Sequence, residues 1–164
     1  MTGWAKRAIA GAMMAGIASI GPVAAQDEEV STNRVAVKTD WAVYTEDNPT
    51  ECWGVSAPKS WRATRDGTDV TEDVLRGEIL LFVTFRPGSG AAGEVSFTGG
   101  YPFASGSTAT VDISGEEFQL FTDGEWAWPA DAEADAAIVN AMKSGAEAVV
   151  TAVSSRGTTT TDTF

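Results

Sequence analysis

Apolar and polar residues alternate with a period of two along much of the chain, which is typical of half-buried strands. The clearest case is residues 118–128, where two apolar-rich runs flank Asp123-Gly124, a strong hairpin signal because both residues tolerate positive φ. A two-residue loop there pairs Phe121 with Trp126. Alternation then separates two sets of side chains: Phe121, Trp126 and Trp128 on one face, and Phe118, Leu120 and Ala127 on the other. Because apolar residues occupy both faces, we expect the two indoles to be buried under a second layer, with an exposed carbohydrate-stacking surface as the alternative.

The same reasoning predicts about nine short strands in all. The remaining apolar runs cover residues 34–44 (one strand or a bent pair), 52–57, 79–85, 94–98, 107–113, 146–154 and 158–164. The run 79–85 is continuously apolar and rich in β-branched and aromatic residues, which favours a strand buried on both faces. Residues 59–75 are polar and have Asp66-Gly67 near their middle, which predicts an exposed hairpin or a long loop.

One segment has helical spacing instead. Pro129 ends a strand, and Asp131, Glu133 and Asp135 follow it, as acidic residues do in the first turn of a helix. An apolar stripe at helical spacing comes next, formed by Ala134, Ile138, Ala141 and Met142. With Gly145 as the residue after the last turn, we predict a helix over about residues 131–144. The pattern as a whole predicts a mainly β fold, either an antiparallel sandwich or a sheet closed on itself, with one helix.

The first residues are typical of an export signal. Lys6 and Arg7 precede an apolar run over residues 8–20, and small residues at 23–25 suit cleavage before Gln26. The apolar run is shorter than the roughly 20 residues of a membrane-spanning helix. We therefore predict a signal peptide over residues 1–25, a disordered polar leader over 26–33, and a single domain over 34–164. The mature protein is expected to be periplasmic or secreted, without a transmembrane segment.

The net charge of the chain limits the kinds of molecule that it is expected to bind. The chain has 23 acidic and 11 basic residues, a formal net charge of −12. Nucleic acids and anionic membranes bind proteins through clustered Lys and Arg, so both are excluded as expected partners.

Candidate chemistry is sparse. The chain has no histidine, which removes histidine-dependent triads and histidine metal sites, and we expect no cofactor, metal or catalytic residue. Two acidic clusters, at residues 69–73 and 131–135, lack the spacing of a calcium loop and are interpreted as solvated carboxylates. A glycosidase-like pair formed by Asp123 and Glu125 remains open, although acidic residues are ordinary in tight turns.

Two aromatic residues and the cysteine complete the candidate sites. Trp61 and Tyr101 lie in polar or glycine-rich surroundings, which makes them candidates for an exposed contact with a ligand. Cys52 is the single cysteine of the sequence, and in an exported protein it indicates either a reactive thiol or a disulfide partner elsewhere.

An ordered series of motifs resembles the invasion-associated locus B family of alphaproteobacterial envelope proteins. The motifs are Thr39-Asp-Trp-Ala-Val-Tyr44, Glu51-Cys-Trp-Gly-Val-Ser-Ala-Pro58, Ile79-Leu-Leu-Phe-Val-Thr-Phe-Arg-Pro-Gly88, Phe97-Thr-Gly-Gly-Tyr-Pro-Phe103, Phe121-Thr-Asp-Gly-Glu-Trp-Ala-Trp-Pro129 and Ser154-Ser-Arg-Gly-Thr158. The resemblance implies an exported, immunoglobulin-like β-sandwich with one helix and no established enzymatic activity. Relatives continue past the position of Phe164 through a strand and a helix that ends near a cysteine, so the resemblance implies a missing tail and a disulfide between that cysteine and Cys52. It transfers no functional residue.

These observations predict a non-enzymatic exported envelope protein that binds an unknown envelope protein or surface ligand. The alternative from another class is a hydrolase that acts on envelope glycans through paired carboxylates. A purely structural envelope component is a third possibility.

Overall fold

The computed structural model describes residues 33–164. The predicted signal peptide over 1–25 and all but the last residue of the predicted leader over 26–33 therefore lie outside the described residues. That last residue, Asn33, is tied to the following hairpin, because its carbonyl accepts a hydrogen bond of 3.1 Å from the backbone N–H of Thr45.

Twelve strands and one α-helix make up the described part. The strands are β1 (Arg34–Lys38), β2 (Trp41–Asp47), β3 (Thr50–Ser56), β4 (Ser60–Arg65), β5 (Thr68–Asp69), β6 (Leu80–Arg86), β7 (Ala91–Thr98), β8 (Thr108–Ile113), β9 (Glu116–Asp123), β10 (Trp126–Trp128), β11 (Ala148–Val153) and β12 (Thr159–Thr163), and the helix is α1 (Ala132–Ser144). The prediction of a mainly β chain with one helix at about 131–144 is confirmed. The strands outnumber the predicted nine because residues 34–44 form two strands and the polar segment 59–75 contains two more, β4 and β5.

All twelve strands belong to one antiparallel sheet with the order β1-β2-β3-β6-β7-β10-β9-β8-β11-β12-β4-β5. The sheet bends over so that the inner faces of its two halves meet. The ring of Phe97 in β7 packs edge-on against Phe164, directly after β12, with 6.2 Å between ring centroids. Leu81 of β6, Leu120 of β9 and Ile138 of α1 are also fully buried in this core.

The two faces of the sheet differ in how much of the protein packs on them. Within the described residues, the helix and the opposite half of the sheet cover the inner face, and the outer face of β6 has no such layer. Leu81 on the inner face is fully buried, whereas the neighbouring Phe82 on the outer face is only half-buried. The prediction that residues 79–85 are buried on both faces is therefore wrong.

Turn residues behave as the sequence indicates in the β4–β5 hairpin. Asp66 and Gly67 have φ values of 50° and 78°, so both central residues of the turn are left-handed, as a type I′ turn requires. The predicted exposed hairpin within residues 59–75 is confirmed, and it forms one edge of the sheet.

The helix begins close to the predicted position, with Asp131 as its N-cap rather than in its first turn. The Asp131 carboxylate accepts hydrogen bonds from the backbone N–H groups of Glu133 and Ala134, at 3.1 and 2.9 Å. Gly145 follows the last turn as expected but has an extended backbone, with φ −78°. A Cβ atom there would lie 2.5 Å from the Ile113 side chain, so glycine is needed for close approach. Within residues 33–164, no helix has the length and apolar character that crossing a membrane requires.

A β-bulge at Gly93 lies where α1 contacts the sheet. The pairing of β6 with β7 shifts by one residue at this point, and Gly93 has φ +108°. Beside the bulge, the carboxylate of Asp135 in α1 accepts a hydrogen bond of 2.7 Å from the backbone N–H of Val95. Burial raises the pKa of Asp135 above its usual value, although this hydrogen bond opposes the shift.

Candidate functional site

The β9–β10 hairpin exposes its aromatic face to solvent. Trp126, Trp128 and Phe121 share a face, as predicted, but 39%, 42% and 56% of these residues is exposed. Leu120 and Ala127 on the opposite face are fully buried. The expectation that the two tryptophans belong to the core is therefore wrong, because the rest of the fold covers the aliphatic side of this hairpin.

The turn also differs from the prediction by one position. Asp123 pairs with Trp126, so the two loop residues are Gly124 and Glu125 rather than Asp123 and Gly124. Only Gly124, with φ +58°, is left-handed, which fits a turn that has glycine at its first central position. The pairing moves by an even number of residues, so the division of side chains between the two faces is unchanged.

The exposed rings continue across the sheet. Six aromatic side chains on its outer face, from β2, β3, β6, β10 and β9, form what we call the outer aromatic row: Tyr44, Trp53, Phe82, Trp126, Trp128 and Phe121. Within the row, Trp126 and Trp128 are stacked at 6.4 Å with 20° between their planes. Tyr44 and Trp53 stack at 5.5 Å and 7°, and Phe82 lies 5.8 Å from Trp126.

Polar side chains accompany these rings on the same face. Each of three rings has a polar residue opposite it on a neighbouring strand: Asp123 and Thr98 beside Trp126, Ser96 beside Phe82, and Thr84 beside Trp53. The outer face therefore combines flat apolar rings with hydroxyl and carboxylate groups. Of this row, the sequence pattern identified only the members in the β9–β10 hairpin as sharing a face.

Trp61 and Tyr101, the two predicted contact residues, lie together around a buried arginine. The Arg76 guanidinium lies over both rings, 5.0 Å from the centroid of Trp61 and 5.1 Å from that of Tyr101. The Tyr101 hydroxyl forms a hydrogen bond of 2.5 Å with the Thr160 hydroxyl, and burial raises the pKa of Tyr101 above its usual value. Both aromatic residues are half-buried, and their role as ligand contacts stays a prediction.

Arg76 is fully engaged by the protein itself. Its two terminal nitrogens contact the two carboxylate oxygens of Asp162 at 2.5 and 2.8 Å, and its Nε donates to the Gly99 carbonyl at 2.9 Å. Asp162 has no exposed surface, and burial raises its pKa, while the pair with Arg76 acts in the opposite direction. We call Arg76, Asp162, Trp61 and Tyr101 the arginine clamp. No local pattern could have revealed it, since Arg76 and Asp162 are 86 residues apart.

The acidic residues do not form a metal site in the described part of the chain. No group of three or more His, Cys, Asp or Glu residues is placed there to hold an ion. Asp131 caps α1 and Asp69 accepts from Arg62 at 3.0 Å, so each carboxylate has a structural role. Asp123 and Glu125 are both exposed and flank Gly124 at the hairpin tip.

Cys52 is half-buried and has a free thiol. It lies on the inner side of β3, at an apolar groove of about 340 Å³ between the sheet and α1, which Val83 and Met142 also line. The predicted disulfide with a cysteine outside this chain stays a prediction.

Comparison with known proteins adds no relative to this description. A search with protein-family models found no match, and comparisons with curated proteins and with solved structures found none either. The resemblance to the invasion-associated locus B family therefore stays an expectation from the sequence motifs.

Proposed function

We propose that this protein is a non-catalytic binding module of the cell envelope, and that its outer aromatic row stacks against the sugar rings of a glycan. The observation that carries the proposal is the pair Trp126 and Trp128. Their rings lie side by side at 6.4 Å and 20°, and about two-fifths of each residue is exposed. Contiguous exposed patches of large apolar side chains often mark interaction sites, whereas single exposed apolar side chains are ordinary.

A carbohydrate suits this surface for physical reasons. The C–H face of a pyranose ring is apolar and packs on the flat, electron-rich face of an indole, while its hydroxyl rim needs hydrogen-bond partners. Asp123 is exposed opposite Trp126 on the neighbouring strand and can supply such a partner. The outer aromatic row therefore offers both of the contacts that a sugar requires.

Charge argues against the other common ligand of stacked aromatic rings. Single-stranded nucleic acids also stack on such rings, but the proteins that bind them line the groove with positive charge. The net charge of this chain is −12, and Arg86, a basic residue on the outer face, is paired with Glu51 and Glu94. A neutral or weakly charged glycan meets no such repulsion.

The sequence supports the wider setting of the proposal. We place the mature protein in the periplasm or outside the cell because of the signal-like residues 1–25. The resemblance to the invasion-associated locus B family favours a non-enzymatic role and an immunoglobulin-like sandwich, and the bent antiparallel sheet is compatible with that architecture.

Titration of the protein with cellohexaose and chitohexaose by isothermal calorimetry tests the proposal. We expect at least one of these to bind, and Trp126→Ala and Trp128→Ala each to weaken binding about fivefold or more, as loss of a stacked ring does. Leu75→Ala is the matched control, because Leu75 is a fully exposed apolar side chain outside the row.

Two results would overturn the proposal. If neither sugar binds, and the tryptophan variants instead lose a protein partner recovered by crosslinking, the row is a protein-docking surface. If a glycan is hydrolysed and Glu125→Gln abolishes the turnover without unfolding the protein, the module is an enzyme.

A further inference from the structure

A cleft of about 600 Å³ lies beside the arginine clamp and reaches the β9–β10 turn, where Glu125 precedes Trp126. It is bounded by the segment before β6, the link after β7 and the turn between β11 and β12. The charged or aromatic residues that line it include Arg65, Arg76, Arg156, Asp73, Glu125 and Tyr101. Its volume is within the range of sites that hold small molecules.

The inner wall of the cleft is rigid. Arg76 is fixed between the rings of Trp61 and Tyr101 and paired with Asp162, so its charge is neutralised by the protein. The Tyr101 ring, held by its hydrogen bond to Thr160, is part of the same wall. A ligand therefore meets a preformed surface there and does not have to order it.

Two further arginines meet at the β11–β12 turn: Arg156 lies in the turn, and Arg65, the last residue of β4, binds to it. The Nε and Nη2 atoms of Arg65 both donate to the Thr158 hydroxyl, at 3.1 and 2.7 Å. The Ser154 hydroxyl accepts from the backbone N–H groups of Arg156 and Thr158, which fixes the turn that carries Arg156. Neither Arg65 nor Arg156 forms an ion pair with a described carboxylate.

Two carboxylates line the same cleft without a cationic partner. Asp73 and Glu125 are exposed, and neither forms an ion pair with a basic residue of the described chain. Elsewhere the protein pairs such groups readily, as in Lys59 with Asp40 and Arg62 with Asp69. The cleft is thus lined by two guanidinium groups and two carboxylates that form no ion pairs with one another.

We propose that this cleft binds a small zwitterionic ligand, a free amino acid or a short peptide. Arg65 and Arg156 receive the carboxylate, for which the forked guanidinium geometry is suited, and Asp73 and Glu125 receive the ammonium group. A purely anionic ligand is repelled by the two carboxylates, and a purely cationic one by the two arginines. This site does not use the rings of the outer aromatic row, although Glu125 is next to Trp126 in the chain, and it does not rest on the proposed function.

The proposal is tested with three probes: glycylglycine, its N-acetyl form and its C-terminal amide. Each blocked form lacks one of the two terminal charges of glycylglycine. We expect glycylglycine to bind the mature protein in calorimetry or by chemical-shift changes at the turn. Each blocked form is expected to bind about tenfold more weakly, because each lacks one charge-assisted hydrogen bond.

Variants assign the two ends of the ligand. In Arg156→Gln we expect the difference in affinity between glycylglycine and its amide to shrink, and in Glu125→Gln we expect the difference between glycylglycine and its N-acetyl form to shrink. Glu116→Gln, a change at an exposed position outside the cleft, should leave all three affinities unchanged.

Each other outcome overturns the proposal. Equal binding of the N-acetyl form to the unaltered protein means a simple anion site, and equal binding of the amide means a cation site. No binding of any probe to the folded protein means that the cleft does not take this class of ligand.

Discussion

The outer aromatic row and the arginine clamp are built from the same kinds of residue, yet their rings have different partners. In the clamp, the rings of Trp61 and Tyr101 lie over the guanidinium of Arg76, which is itself paired with a buried carboxylate. In the row, Trp126 and Trp128 contact each other and leave their outer surfaces open. The difference teaches that aromatic content alone does not identify a binding surface. What matters is whether the protein already supplies the partner of each ring.

The largest expected effect is at the buried pair of the clamp. Asp162→Ala should lower the free energy of unfolding by about 3–5 kcal/mol, because it leaves the charge of Arg76 buried without a partner. Denaturant unfolding measures the loss. Lys59→Ala is the control, since it breaks a half-exposed pair with Asp40 and should cost about 1 kcal/mol or less. Equal losses in the two variants would show that the clamp is no more than a surface pair.

The next effect distinguishes the two faces of the β9–β10 hairpin. Leu120→Ala empties a fully buried position and should cost about 2–5 kcal/mol, whereas the neighbouring Phe121→Ala removes a ring that is 56% exposed and should cost about 1 kcal/mol or less. The comparison is made by denaturant unfolding of both variants under the same conditions. A larger loss for Phe121→Ala would mean that the outer face is covered.

The tryptophans of the outer aromatic row and of the arginine clamp can also be compared by how well solvent quenches their fluorescence. Trp126→Phe combined with Trp128→Phe should reduce the quenching of tryptophan fluorescence by acrylamide. The reason is that the remaining described tryptophans include Trp41, which packs against the core, and Trp61, which lies against Arg76. Trp61→Phe should not reduce the quenching in this way. If the two changes have the same effect, the rings of the row and of the clamp are equally accessible.

The smallest expected effect concerns alkaline pH and Tyr101. Burial raises the pKa of Tyr101 in the folded protein above the ordinary value of 10.0, so the unfolded chain loses its proton first. Stability should therefore fall as pH rises from that ordinary value towards the raised pKa. Tyr101→Phe should make this fall shallower in thermal melts recorded from neutral to alkaline pH. An unchanged slope would show that burial does not keep the phenol neutral in the folded protein.

The sequence predicted the local elements well because their causes are local. The Asp66-Gly67 turn needs only two residues that accept positive φ, and Asp131 caps the helix through N–H groups two and three residues away. The run at residues 107–113 likewise forms the strand β8, in which the apolar residues Ala109, Val111 and Ile113 are buried.

The candidate functional surfaces were harder to predict because their causes are distant. Both faces of the β9–β10 hairpin are apolar, and the face that becomes the core is the one on which α1 and the opposite half of the sheet pack. The arginine clamp and the cleft beside it depend on contacts between residues far apart in the chain, such as Arg65 with Thr158. A single sequence contains no periodicity that reports such contacts.

The hydrogen bond between Asp135 and Val95 has a consequence for the whole outer surface. Successive strand residues point to opposite sides, so a slip of β7 by one residue along β6 would turn Phe97 outwards and Ser96 inwards. The helix carboxylate reaches the free N–H beside the bulge in only one of these alignments. A side chain on the covered side of the protein thereby selects the alignment that buries Phe97 and leaves Ser96 beside Phe82 on the outer face.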